Sequence, residues 1–467
     1  MEQLRFGTDG WRDIIADRFT FANVRRCAQA YAEHLLDEGS ESVVVGFDTR
    51  FGGEAFAAAV ANVLAANGLD VLLSATFVPT PAVSHAVTQY GAGGAVMLTA
   101  SHNPPAYNGF KIKGPYGGSA TGKIYDDVAR RVARIGPGDV RDSGAGGRVN
   151  RLDFRPGYFE ALRRVVNLDA LQDASFAIGH DPMGGAAAGW LASFVRYSDL
   201  PLRVEQLRKQ PDPLFHGVNP EPLPPNLGVS AERARQGDLA FIAATDGDGD
   251  RIGVVLPDGS FFNSHQIFAV LLDLLAGRGG RGRVVKTFTV SRLVERLARS
   301  RGLEVCETPV GFKYIVEEML KGDVLIAGEE SGGIGVQGHL PERDGILCAP
   351  LLVEAVACAG VPLPELFAAL EREASWRHAY DRADLELEDR SLVDRLLGRL
   401  EDPPSSFAGL EVSSVERRDG VKLNLGEDSW LLFRPSGTEP LLRVYAEAPD
   451  PQAVGSILAQ AQRFVQG

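Results

Sequence analysis

The stretch Gly93-Gly-Ala-Val-Met-Leu-Thr-Ala-Ser-His-Asn-Pro104 decides how the rest of this chain is read. Its first half is small and apolar, which reads as a buried strand of a parallel sheet and puts Ser101 in the loop at that strand's carboxyl end. Open α/β sheets carry their chemistry there. With the imidazole of His102 as immediate neighbour and Lys111 and Lys113 shortly downstream, Ser101 is a candidate nucleophile or phosphoryl carrier. An ordinary polar turn is the better explanation of Ser-His-Asn taken alone, so the decision rests on the surrounding chain.

Upstream, a helix pattern over 21–36, a strand over 42–47 ending at Asp48-Thr49-Arg50, a helix over 54–66 and a strand over 70–73 alternate as βαβ units do. A Gly-rich polar run over 136–147 reads as a linker. The plan then recurs. A helix over 158–166 and a strand over 175–179 precede the buried run 239–244, which opens into Asp246-Gly-Asp-Gly-Asp-Arg251. Strands over 283–287 and 303–306 precede 323–327, which runs into Gly328-Glu-Glu-Ser-Gly-Gly333. Three successive α/β units each end a strand on an unusually polar loop, the pattern expected of loops facing one cleft. The last segment differs: strands over 412–416, 422–425, 430–433 and 441–446 with a closing helix over 453–465 describe a small antiparallel α+β unit. It carries the loop Arg434-Pro-Ser-Gly-Thr-Glu-Pro440.

The 467 residues are too many for one core, and length alone predicts about three domains, with four inside its range. The four cysteines form no Cys-x-x-Cys pair, so neither a disulfide framework nor a zinc site is indicated, and a reduced cytoplasmic setting is expected. No signal peptide is readable, and the apolar run 267–276, broken by Asp273, is too short to span a bilayer. The formal charge of −13 argues against a nucleic-acid partner. An anionic substrate stays open, because a phosphate responds to the local field of a cleft.

Asp246, Asp248 and Asp250 alternate with glycines, so a tight loop could aim three carboxylates at one point, and a hard divalent cation would remove their repulsion. EF-hand spacing fails at Arg251 and Pro257. Three protein ligands would leave the ion open to water or a phosphate, which suits Mg²⁺; a solvated acidic turn is the alternative. Gly117 to Lys123 nearly matches a P-loop, but Ile124 stands where a hydroxyl is needed. Arg434 with Ser436, Gly437 and Thr438 offers a guanidinium fork, hydroxyls and free amides to a phosphate. Glu329 and Glu330 could accept hydrogen bonds from sugar hydroxyls or simply be solvated.

Together these four loops, in this order, resemble those of the α-D-phosphohexomutase family, and two more stretches fit, Phe6-Gly-Thr-Asp-Gly-Trp-Arg12 and Thr308-Pro-Val-Gly-Phe-Lys-Tyr314. The resemblance spans the chain. It implies three consecutive mixed α/β-sheet domains and a C-terminal α+β domain around a central cleft: a phosphoserine domain over 1–147, a metal domain over 148–254, a sugar domain over 255–373 and a phosphate domain over 374–467. It implies phosphoryl exchange between the 1- and 6-positions of a hexose, with Ser101 as phosphoserine. Ser101, Asp246, Asp248 and Asp250 would hold Mg²⁺, and Arg12, His102, Lys111 and Arg251 would line the transferring group. Glu329, Ser331, Gly311 and Lys313 would face the sugar, and Arg434, Ser436, Gly437 and Thr438 the other phosphate. Hexose 1,6-bisphosphate would be intermediate and activator, and the only partner a phosphosugar, with no membrane and a monomer or weak homo-oligomer as the assembly.

Gly333, where one branch of the family has histidine, together with Gly311-Phe312-Lys313, favours glucose, with mannose expected in addition because the two sugars differ only at C2. A phosphoglucosamine mutase, a sugar-phosphate phosphatase or a non-catalytic sensor on the same fold are the rival readings. Lys313 is a candidate general base only if the cleft lowers its pKa.

Overall fold

In the computed structural model, which describes residues 4–7, 9–144, 146–386, 391–435 and 441–466, four sheets follow one another along the chain. The first runs Trp11–Ile14, Tyr107–Gly114, Ala95–Leu98, Ser42–Phe47, Asp70–Ser74, Val149–Leu152, with Gly118–Ser119 beside Tyr107–Gly114. The second runs Phe261–Phe262, Ile252–Val255, Ile242–Thr245, Ala177–Asp181, Arg203–Gln206. The third runs Val305–Thr308, Arg283–Thr287, Val324–Gly328, Ile334–Val336. The fourth is antiparallel, from Ala379–Glu386 through Leu441–Ala448, Ser429–Pro435 and Val421–Leu425 to Leu410–Glu416 and Ser406–Phe407.

The strand before Ser101 is parallel to Ser42–Phe47 on one side, as its apolar composition suggests, but antiparallel to Tyr107–Gly114 on the other. Tyr107–Gly114 mixes Lys111 and Lys113 into its sequence and so shows no apolar run to read. The same arrangement recurs: Ile242–Thr245 is parallel to Ala177–Asp181 and antiparallel to Ile252–Val255, and Val324–Gly328 is parallel to Arg283–Thr287 and antiparallel to Ile334–Val336. Each polar loop therefore joins two adjacent antiparallel strands instead of leading into a helix. In the fourth sheet, Ser429–Pro435 likewise pairs with Leu441–Ala448.

The chain also returns to earlier sheets later than the sequence suggests. Val149–Leu152 pairs with Asp70–Ser74 beyond residue 147, and Phe261–Phe262 closes the second sheet beyond residue 254. Both are short edge strands, which carry little sequence signal.

One continuous apolar core runs from the helix Thr80–Tyr90 through the second unit to the helices Ser264–Gly277 and Gly345–Ala359. The fourth unit has its own core and shares with the third the small apolar cluster Phe288, Trp430, Leu432 and Tyr445, beside polar links such as Ser291 to Glu447. Among the described residues no single helix is long and apolar enough to cross a membrane.

Candidate active site

Ser101 is buried, with its backbone in the left-handed region at φ 52°, a conformation that costs a serine on the order of 1–3 kcal/mol and persists only where neighbours enforce it. The enforcing group is Arg50. Its guanidinium donates to the carbonyls of Ser101 and Asn103 at 2.7 Å, Pro104 at 2.8 Å and Tyr107 at 2.9 Å. It is itself held by Asp48 at 3.1 Å and packs over the Phe215 ring. Asp48 also accepts from Thr99 Oγ1 at 2.6 Å, and Thr99 Oγ1 accepts the amide of Ser101. Burial pushes the Asp48 carboxyl up to about 6, against the pull of Arg50.

The metal-type loop closes on the serine. Ser101 Oγ donates to Asp246 Oδ2 at 2.7 Å, and Asp246 Oδ1 accepts the amides of Asp250 and Arg251. A Cβ at Gly247 would lie 2.5 Å from the Ser101 carbonyl oxygen, and Gly249 has φ 74°, so glycines at these alternate positions let the loop come this close. Asp246, Asp248 and Asp250 are all buried, and each offers an oxygen within 4.8 Å of the others. Burial, then the two neighbouring aspartates, push the Asp246 carboxyl well up.

Lys111 supplies part of the missing charge. Its buried ammonium is 2.8 Å from Asp248, 3.2 Å from Asp250 and 2.9 Å from Asp9, and these carboxylates outweigh burial and hold its pKa above the usual lysine range. Thr80 Oγ1 donates to the same Asp248 oxygen at 2.6 Å. What remains is telling: Asp248 Oδ1 and Asp250 Oδ1 are buried with no hydrogen-bond partner. Orphaned buried carboxylate oxygens are costly, and two of them converging beside Asp246 fit a hard divalent cation with oxygen ligands.

Around this centre lie Arg12, donating to Asn103 Oδ1 at 2.8 Å and to Asp9 at 3.0 Å, and Arg251, buried with its Nε unpartnered. His102 Nδ1 is 3.4 Å from Ser101 Oγ, and burial followed by the charges of Arg251, Arg12 and Arg443 holds its imidazole well below its ordinary pKa. Arg443 is cross-strand partner to Arg434 on the fourth sheet, with Nε unpartnered, and the loop pattern gave no sign of it.

The third loop is tied to the second through the backbone: Arg251 pairs with Gly333 in a single bridge, and the amide of Ile252 donates to the carbonyl of Gly332 at 3.0 Å. Glu329 is buried and accepts from the amide of Gly311 at 3.0 Å, which unites two of the stretches expected to face the sugar. Burial pushes its carboxyl up to about 7 against Arg343. Arg343, which no motif singled out, reaches Asp9 at 2.6 Å, Asp250 at 2.9 Å and Glu329 at 3.4 Å. A Cβ at Gly333 would lie 2.6 Å from its Cδ, so the glycine in the third loop makes room for this arginine. Ser331 is half-buried in the same loop, and the Lys313 ammonium lies 5.0 Å from the Tyr314 ring centroid. Arg434 donates to Asp419 at 3.0 Å, and the same Asp419 oxygen accepts the amide of Val310, linking the fourth unit to the third. Ser436, Gly437 and Thr438 lie outside the described residues.

The structure thus brings Ser101, His102, Lys111, Arg12, Arg251 and the three aspartates into one cluster, with Glu329 joined to it through Arg343. Among the described residues, Arg434, Lys313 and Ser331 make no hydrogen bond to that cluster. Four descriptions match in succession: phosphoglucomutase/phosphomannomutase α/β/α domain I over residues 3–138, domain II over 156–259, domain III over 263–373 and the C-terminal domain over 386–463.

The chain belongs to the α-D-phosphohexomutase family. It is a mutase, an enzyme of the phosphotransferase class. Among curated relatives, a phosphoglucomutase/phosphomannomutase of Thermococcus kodakarensis is 29% identical over 95% of this chain and 94% of its own. A protein of Methanothermobacter thermautotrophicus assigned as a phosphoglucosamine mutase is 32% identical over 95% and 93%. Among solved structures, a protein of Thermus thermophilus assigned as a phosphomannomutase is 45% identical, covers all of both chains and superposes with a TM-score of 0.90. N-acetylphosphoglucosamine mutase of Aspergillus fumigatus, solved with GlcNAc-6P and magnesium, shares the phosphohexomutase fold at 15% identity, covering 100% of this chain and 95% of its own, with a TM-score of 0.63.

Proposed function

We propose that this phosphohexomutase interconverts hexose 1-phosphate and hexose 6-phosphate, acting on glucose and also mannose, through phosphorylated Ser101 and a hexose 1,6-bisphosphate. The observation that carries the reading is Ser101 Oγ bonded to Asp246, beside two buried aspartate oxygens without partners and the ammonium of Lys111. Asp246, Asp248, Asp250 and the phosphorylated Ser101 would hold Mg²⁺. Bound there, the ion supplies Lewis-acid stabilisation of charge on the phosphoryl oxygens.

The residues themselves account for the rest. A sugar hydroxyl oxygen attacks the phosphorus on Ser101, the bond from phosphorus to Oγ breaks, and the proton lost by the hydroxyl is balanced by the one the released Ser101 Oγ takes up. Arg12, Arg251 and Lys111 are fixed charges around the phosphoryl group, each such preorganised contact being worth about 3 kcal/mol at comparable sites. Glu329, held by Gly311 and Arg343, accepts hydrogen bonds from the sugar hydroxyls together with Ser331, and Lys313 lines the same wall. Arg434, with Ser436, Gly437 and Thr438, anchors the phosphate that is not transferred and so positions the sugar. For both ends of the sugar to meet one serine, the bisphosphate turns over between transfers. A fourth unit with its own core suits that movement.

Relatives assigned as phosphoglucosamine mutases at about the same identity support glucosamine phosphate as the second reading. The test is turnover of glucose 1-phosphate, mannose 1-phosphate and glucosamine 1-phosphate with Mg²⁺ and catalytic sugar bisphosphate. Glucose 6-phosphate formation by the wild type and none by Ser101→Ala is expected. Equal turnover by Ser101→Ala overturns the phosphoserine route, and preference for the glucosamine arm overturns the assignment of sugar.

A further inference from the structure

A second cleft, of about 520 Å³, lies between the third unit and the fourth and shares no lining residue with the cluster around Ser101. Its walls are the helix Arg292–Ser300, the strand Val305–Thr308 and the hairpin formed by Leu410–Glu416 and Val421–Leu425. Six cations line it, Lys286, Arg292, Arg296, Arg299, Arg418 and Lys422, against the three carboxylates of Glu295, Glu307 and Glu416. In a chain of net charge −13 that is a local reversal of sign.

The pairing inside the cleft shows which charges are spare. Glu307 is taken by Lys286 at 2.6 Å and Arg418 at 3.4 Å, Glu295 by Arg299 at 2.6 Å, and Glu416 accepts from Asn424 at 2.9 Å. The other three cations have neutral partners. Arg292 bonds the side-chain oxygen of Asn424, and Arg296 donates to the carbonyls of Ala374 and Ser375 and lies over the Trp376 ring. Lys422 is 2% exposed, donates to the carbonyl of Phe288 at 2.9 Å and sits between the rings of Phe288 and Trp430 at 4.7 and 4.3 Å. Burial and then the charge of Lys286 push its ammonium down to about 8, against the pull of Glu307 and Glu416.

We propose that this cleft binds a small polyanion carrying at least two phosphoryl groups, at a site separate from the hexose phosphate cleft. Guanidinium forks match phosphate oxygens in pairs, and the volume falls within the range of small-molecule sites. Six cations against three carboxylates leave a net excess of three positive charges, which calls for more than one phosphoryl group. A ligand seated there touches both the third unit and the hairpin of the unit that carries Arg434, so it holds those two units together.

Inorganic pyrophosphate is the probe, titrated calorimetrically in Mg²⁺-free buffer into the full chain, into Arg434→Ala and into the double variant Arg299→Glu, Arg418→Glu. Wild type and Arg434→Ala are expected to bind one equivalent here with equal affinity, and the double variant at least tenfold more weakly. Hexose phosphate turnover of the double variant without pyrophosphate should stay within twofold of wild type, which separates loss of this site from loss of the fold or of the mutase reaction. If that variant folds poorly, Arg418→Ala alone should weaken binding about threefold. No binding by wild type at millimolar pyrophosphate, binding undiminished in the charge-reversed cleft, or loss of all binding in Arg434→Ala would each refute the proposal.

Discussion

Replacing Arg343 by methionine removes one guanidinium from among three acids contributed by three separate stretches of chain. Asp9 lies 2.6 Å away, Asp250 2.9 Å and Glu329 3.4 Å, and the arginine side chain is 3% exposed. Methionine keeps the apolar stem against Phe312, over whose ring the guanidinium now sits at 5.2 Å, so the change tests charge more than packing. Removing one partner of a buried ion pair costs about 3–5 kcal/mol because it strands the other charge. Asp9 and Asp250 retain Lys111 at 2.9 and 3.2 Å, which sets the expected loss at the lower end, about 3 kcal/mol. Urea unfolding in the absence of Mg²⁺ reads this directly. Glu329 also loses its side-chain anchor, and a displacement of about 1 Å in a positioning group costs on the order of 100-fold in rate. Arg343→Lys should recover part of the stability and little of the rate, since the three acids are held through three different guanidinium nitrogens, Nη2, Nε and Nη1, and an ammonium has no such fork. An Arg343→Met protein within about 0.5 kcal/mol of wild type and with unchanged turnover would refute the reasoning, because that is the range of an ordinary surface substitution.

The raised carboxyl of Glu329 makes a pH prediction. Its folded value of about 7 lies above the ordinary 4.5, so the folded state binds the extra proton between these values, and stability falls as pH rises through that window. Glu329→Gln should flatten this slope. If the ionised form grips the sugar, kcat/KM should fall below about pH 7 in wild type and lose that limb in the variant; an unchanged profile would exclude the role. Mg²⁺ at about 100 times its dissociation constant should raise the unfolding free energy by about 2.7 kcal/mol, and Asp248→Asn should abolish the increment. A wild type whose unfolding ignores Mg²⁺ and chelator alike would count against the aspartate site.

What could be read from the residues alone followed from local physics. Apolar runs such as 42–47 and 324–327 bury both faces of a strand, so their composition alone marks them, and both strands stand where the pattern put them. The polar loops after Leu98, Thr245 and Gly328 were visible because carboxylates, hydroxyls and glycines interrupt buried sequence, and their order along the chain carried the family. Partnerships across the chain were not visible. Asp9 and Arg50 lie in quoted stretches, Arg443 in an expected strand and Arg343 in no motif, yet each acquires its part only when strands distant in sequence lie side by side. Arg343 meets Asp9 across 334 positions. The turn from each functional loop back into an antiparallel neighbour was hidden for a related reason: Tyr107–Gly114 buries lysines, which composition reads as exposed and only ion pairs with Asp9, Asp248, Asp250 and Glu342 allow inside. The residue types that phosphoryl transfer needs are thus written in the sequence. Where their charges are balanced, and where three of them in the second cleft are not, was decided by the tertiary structure, because electrostatic energy depends on distances that only folding sets.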